Sequence, residues 1–170
     1  MSDDDMKDRL DWLEKAGIEN MKAHHVCADT LSKEAATTLT LTLAGMGGGL
    51  AYAAKALDAN SWTWFAVGAV AFTAWLMVVN WYLTTRCLMM TAIDQVYNEP
   101  KNLEDPNESF QYLRQCELLS LQARIERAGE RNEILAKRLN RARKLAIASP
   151  MVFILFSVAW AAAEHWGMVA

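Results

Sequence analysis

The sequence predicts an all-α integral membrane protein with three transmembrane helices, a cytoplasmic N-terminal helix, and a cytoplasmic coiled-coil-like helix between spans 2 and 3. Three observations predict it. Apolar residues make up 53% of the chain and charged residues 22%, yet three windows of about twenty residues are almost free of charge, the length an α-helix needs to cross ~30 Å of hydrocarbon. The segments between those windows are crowded with charge, a division that one water-soluble core does not produce. Lysine and arginine gather before the third window and are scarce between the first two, which orients the chain.

Residues 1–34 form the first element. Met6, Leu10, Leu13, Gly17, Met21, His24, Ala28 and Leu31 recur at helical spacing, an amphipathic pattern that Gly17 is expected to interrupt. Asp3, Asp4 and Asp5 suit the positive end of a helix dipole, or equally a solvated tail. This segment is too long and too acidic for the front of a cleavable signal peptide.

Residues 35–97 read as a transmembrane hairpin with spans at about 35–54 and 62–85. The Thr/Leu alternation of the first span suggests a strand, but an isolated strand leaves its backbone unpaired in lipid, whereas a helix satisfies it internally. As a helix it puts Thr38, Thr42, Gly45 and Gly49 on one face. Gly45 and Gly49 form a GxxxG step that lets a partner backbone approach closely. In the second span, Ala66, Ala69, Thr73, Asn80, Thr84 and Cys87 make a comparable stripe, and the Asn80 carboxamide calls for an interhelical partner. Thr38, Thr42, Gly45, Gly49 and Asn80 are the candidates for helix packing or for lining a pore. Trp62, Trp64, Trp81, Tyr82 and Trp166 stand as interfacial anchors, while Trp75 and Trp160 lie deeper and each needs an acceptor for its indole N–H.

Residues 98–107 form a turn-rich linker in which Pro100 and Pro106 forbid a continuous helix. Residues 108–146 then carry the strongest soluble helix pattern. Leu118, Leu121, Ile125, Ala128, Asn132, Leu135, Leu139, Ala142 and Ala146 repeat every seven residues, a coiled-coil seam in which Asn132 is placed to fix register and oligomer state. Packing of this seam on the N-terminal helix of the same chain is the alternative. Charge favours such pairing: residues 1–34 hold five basic and nine acidic side chains, and residues 107–146 hold nine basic and five acidic.

The third transmembrane helix occupies 147–170, with its uncharged window at Leu145 to Ala163, Ser149 as a cap and Pro150 in the first turn. Arg138, Arg141, Arg143 and Lys144 lead into it. By the positive-inside rule they hold residues 86–144 and the N-terminus in the cytoplasm and send the C-terminus out. They also suit contact with anionic lipid better than specific nucleic-acid binding. Glu164 is placed near the outer boundary, where an acid is interfacial or forms a ring of charge at a pore mouth.

Chemistry is sparse. His24, His25, Cys27 and Asp29 are the only cluster resembling metal ligands, but neighbouring histidines diverge on a helix and no second ligand pair follows. There is no P-loop, dinucleotide turn or acid/base pair. No enzyme, cofactor or metal is expected. Cys27, Cys87 and Cys116 are odd in number and read as free thiols.

A cytoplasmic helix, two closely spaced membrane helices and a second cytoplasmic helix, over residues 5–146, resemble the small SLATT-type membrane effectors of bacterial phage defence. The third span departs from that pattern. The resemblance implies an oligomeric, pore-forming protein of the bacterial inner membrane with its C-terminus periplasmic, triggered by a cytoplasmic protein or a nucleotide. The alternative is a non-conducting anchor or scaffold that recruits a cytoplasmic partner through its coiled coil.

Overall fold

The computed structural model describes residues 3–59, 62–89, 92–99, 101 and 107–167. Most of the expected linker, Pro100 and Pro106 included, lies outside the described residues. All regular structure among the described residues is helical: α1 (Asp3–Asp58), α2 (Trp64–Leu83), α3 (Phe110–Ile147) and α4 (Ser149–His165), with one π-helical turn, Thr84–Leu88, continuing α2. Two helical stretches are long and apolar enough to cross a membrane, one at Trp64–Leu88 and one within Phe110–His165. Residues 35–54 are not among them, because four threonines and four glycines dilute their hydropathy.

Two local expectations are corrected. Gly17 does not break the N-terminal helix: α1 runs unbroken from Asp3 to Asp58. A Cβ at position 17 would stand 2.7 Å from a Leu121 methyl carbon, so the glycine admits a neighbouring side chain. Nor does Ser149 cap α4. Ala148 holds the cap position without a side-chain bond, and the Ser149 hydroxyl donates back to the Ala146 carbonyl at 2.7 Å. Pro150 does sit in the first turn of α4, where its missing N–H costs no helical bond.

The chain divides into two compact units, Met1–Leu31 with Met90–Ala136, and Ser32–Met89 with Lys137–Ala170. In the first, the charged unit, Met21 is fully buried among Leu121, Ile125 and Ala128, with Ile18 and Val96 packed against them. The heptad residues of α3 thus meet the amphipathic stripe of α1 within one chain. Asn132, expected to set register between subunits, is itself buried here and donates to the His24 carbonyl at 2.8 Å. Residues 92–97, which the 35–97 boundary groups with the hairpin, fall in this unit.

In the second, apolar unit, small or polar residues such as Ala35, Ala66, Ala69, Thr42, Thr73 and Ser157 are buried beside four large apolar ones, Leu76, Val79, Leu83 and Leu139. Many other large side chains face outward, among them Leu41, Met77, Val78, Met151, Leu155 and Val158. α2 packs on α4, where Gly68 is essential to close approach: a Cβ there would meet two ring carbons of Phe153 at 3.0 Å and collide with Ser157 Oγ. We expect Gly68→Val to overpack this seam and destabilise the unit by about 1–3 kcal/mol. Thermal unfolding in detergent, followed by protection of α4 from protease, measures it. Phe65 joins three rings edge-on, with centroids 4.7 Å from Tyr52, 5.7 Å from Trp64 and 5.1 Å from Phe153.

Candidate functional site

Each unit holds a polar constellation among its described residues. In the apolar unit it is a buried layer between α1 and α2, built from the residues that the sequence singles out. Thr42, on the face of α1 that a 3.6-residue period turns toward α2, donates its hydroxyl proton to Asn80 Oδ1, with the Thr38 carbonyl 2.9 Å away as a further acceptor. Asn80 Nδ2 points at Met46 Sδ, 3.8 Å away. The expected acceptor for Trp75 is present as well, since its indole donates to the Leu145 carbonyl at 2.9 Å. Trp160 Nε1 and Ser157 Oγ, by contrast, are buried without a partner among the described residues.

The glycines of the same face are filled by the same chain. A Cβ at Gly45 would meet Leu76 at 3.2 Å, and one at Gly49 would overlap the Thr73 hydroxyl. The GxxxG step therefore serves α1–α2 packing, in which close backbone approach gains dispersion contacts.

Arg143 closes the layer at one end. Its Nη2 pairs with Glu34, and its Nε donates to Thr38 Oγ1 at 3.2 Å. The expected topology residue is thus also a structural link between α3 and α1. Arg138 donates to the Arg86 carbonyl at 3.2 Å, in the π-helical turn, where a cation suits the negative end of a helix. Arg141 and Lys144 are exposed.

In the charged unit, α1, residues 96–98 and the start of α3 enclose a cavity of about 430 Å³. Its floor is apolar, formed by Ile18, Leu118 and Leu121. Its rim is polar. Arg114 Nη2 donates to Asp11 at 2.6 Å and to Glu14 at 2.7 Å. Hydrogen bonds donated to Glu14 first, then to Asp11, raise the guanidinium's pKa above its ordinary value. Glu117 bonds to Arg124 at 2.5 Å and accepts from Asn98 Nδ2 at 3.1 Å. Two exposed aromatics, Tyr97 and Phe110, complete the lining.

No motif in the sequence marks any of the rim residues as a site. Asp11 and Glu14 are one turn apart on α1, but nothing in the chain marks Arg114, a hundred residues on, as their partner. The excess of acid over base in residues 1–34, set against the excess of base over acid in 107–146, is the signal that anticipates such pairs.

The His24–Asp29 cluster does not converge. His25 Nε2 lies 3.0 Å from the Asp94 carbonyl, Cys27 is exposed, and the Asp94 carboxylate pairs with Arg127 at 3.2 Å, raising the guanidinium's pKa. Among the described residues no group of three His, Cys, Asp or Glu is placed to hold a metal ion. Comparison with protein-family models, curated proteins and solved structures finds no match to this chain.

Proposed function

We propose that this chain is a multi-pass membrane anchor that presents its charged helical unit to the cytoplasm as a sensing or docking module. One observation carries the reading: the apolar unit buries Thr38, Thr42, Thr73 and Asn80, while Leu41, Met77, Val78, Met151, Leu155 and Val158 stand exposed on its outside. In water such a surface is a contiguous sticky patch. In hydrocarbon it is the favourable arrangement, because large apolar groups lose nothing to lipid while polar groups find partners within the bundle.

Residues 35–54 then form a third span beside the two more apolar ones, their hydroxyls satisfied inward by Asn80 or by carbonyls one turn back. Lys137, Arg138, Arg141 and Lys144 keep their end of the unit in the cytoplasm and meet anionic headgroups. The anchor reading is preferred to a conduit because Thr42, Gly45, Gly49 and Asn80 are engaged by their own chain, leaving no lumen along that face.

Alkaline extraction and reporter fusions test this. We expect the protein to stay with the membrane at high pH, a reporter at the N-terminus or within 98–107 to be cytoplasmic, and one at the C-terminus to be external. Recovery as a monodisperse species without detergent, or both ends in one compartment, overturns it.

A second reading, an oligomeric effector that conducts ions in the manner of SLATT-type proteins, is favoured by a separate observation. Ala36, Thr40, Ala44 and Gly48 follow one another at four-residue intervals on the outer face of α1, all exposed. Cβ atoms at Gly47 and Gly48 would meet only open space. A small-residue ridge of this kind suits a second copy of the helix. Under this reading induced cells depolarise, whereas under the anchor reading they keep their membrane potential.

A further inference from the structure

We propose that the cavity of the charged unit is a binding site for a small amphipathic cation: an aromatic or aliphatic body carrying one ammonium group. A cavity of about 430 Å³ is within the size of small-molecule sites, and an apolar floor with a few polar groups at the rim is their usual construction. The sign of the ligand follows from the charges. Among the described residues, Asp11, Glu14 and Glu117 line the space against Arg114 alone.

Glu117 is compensated by Arg124, whose side chain is buried beside it. Asp11 and Glu14 are left to share one guanidinium nitrogen, Arg114 Nη2. One negative charge remains in excess, and each of these two carboxylates keeps a second oxygen without a partner among the described residues. An ammonium, with three donors and no acceptor, matches that pair of oxygens.

The aromatic lining points the same way. Tyr97 and Phe110 offer exposed rings at this cavity, and the Arg114 guanidinium already lies 5.9 Å from the Phe110 centroid. Ring faces attract cations. A polyanion such as a nucleotide meets the opposite conditions, three carboxylates and a guanidinium already committed to two of them.

This site deepens the sensing module proposed above by naming its ligand class, but its geometry lies wholly in the charged unit and does not depend on the membrane assignment. The test uses the full chain in phosphatidylcholine nanodiscs with two probes of the same ring and opposite charge, 1-naphthylmethylammonium and 1-naphthylacetate. Saturation-transfer NMR is read against empty nanodiscs.

We expect saturable binding of the ammonium, at least about tenfold tighter than the carboxylate, a gap of about 1.4 kcal/mol. Asp11→Asn with Glu14→Gln should bring the two probes within about threefold of each other. Leu118→Trp, which fills the floor, should abolish binding of both. Equal or preferred binding of the carboxylate, no saturable binding of either, or ammonium binding that survives Leu118→Trp overturns the proposal. Failure of the membrane reading is seen separately, as release of the protein at high pH.

Discussion

Replacing Met21 with aspartate is expected to unfold the charged unit while leaving the apolar unit folded. Met21 is 0% exposed and touches the buried face of α3 at Leu121, Ile125 and Ala128. Truncating such a side chain to alanine costs about 2–5 kcal/mol in transfer and cavity terms. Aspartate adds the penalty of a carboxylate in an apolar site, or of the proton it must take up to become neutral. The total approaches the ~5–15 kcal/mol that holds an ordinary domain together, and this unit has a small core. Hydrogen exchange resolved by segment measures the effect. Residues 3–31 and 107–136 should lose protection, while 64–83 and 149–165 keep theirs. Trp12→Asp is the control, since Trp12 is 68% exposed and should change little. Loss of protection across both units would show that the two do not fold separately.

The same residue illustrates what the sequence makes legible. Met21 lies on a 3.6-residue stripe with Leu10, Gly17 and His24, and Leu121, Ile125, Ala128 and Asn132 lie on a seven-residue seam. Periodicity says that each helix has an apolar face, and those faces are the ones buried. It does not say which face meets which. Asn132 is legible as a polar group in an apolar seam, but its bond to the His24 carbonyl depends on a contact 108 residues away in sequence. The candidate packing face is read more completely. Thr42, Gly45 and Gly49 on α1 and Asn80 on α2 are each named from the sequence, and all four lie along the α1–α2 contact, Thr42 on Asn80, Gly45 on Leu76 and Gly49 on Thr73.

What escapes the sequence has physical causes. The junction at residues 34–35 looks like a boundary because composition changes there, yet backbone hydrogen bonding carries on across it and α1 runs straight through. Val96 and Asp94 follow the second span closely enough to be counted with it. Their partners, however, are the Met21 core and Arg127, in the other unit. The cavity arises from three separate stretches of chain, and no local pattern encodes the space between them. The outer ridge of Ala36, Thr40, Ala44 and Gly48 is hidden by a different cause. In a helix so rich in small residues every face satisfies a small-residue motif, and only the location of α2 tells inner from outer.

That distinction yields the second large effect. Gly49→Leu is expected to pry α1 from α2, because its Cβ falls on the Thr73 hydroxyl, itself held by a 2.8 Å bond to the Ala69 carbonyl. Overpacking a close helix contact costs about 1–3 kcal/mol where neighbours shift, and more where backbone must move. The Thr42–Asn80 bond about two turns away then loses its geometry too. Gly48→Leu, one residue along, enters open space and should leave the fold of the single chain unchanged or slightly firmer, since glycine is about 1 kcal/mol poorer than the best helix formers. The pair of variants therefore separates the two functional readings. An anchor tolerates Gly48→Leu, retaining its thermal stability and its particle size in nanodiscs, while Gly49→Leu lowers its melting temperature. A conducting oligomer assembled through the outer ridge instead loses both its larger size and its ion flux in Gly48→Leu, with helix content and chain stability intact. A variant that shrinks the particle without loosening the chain would defeat the anchor reading, and one that changes neither size nor flux would remove the ridge as an interface.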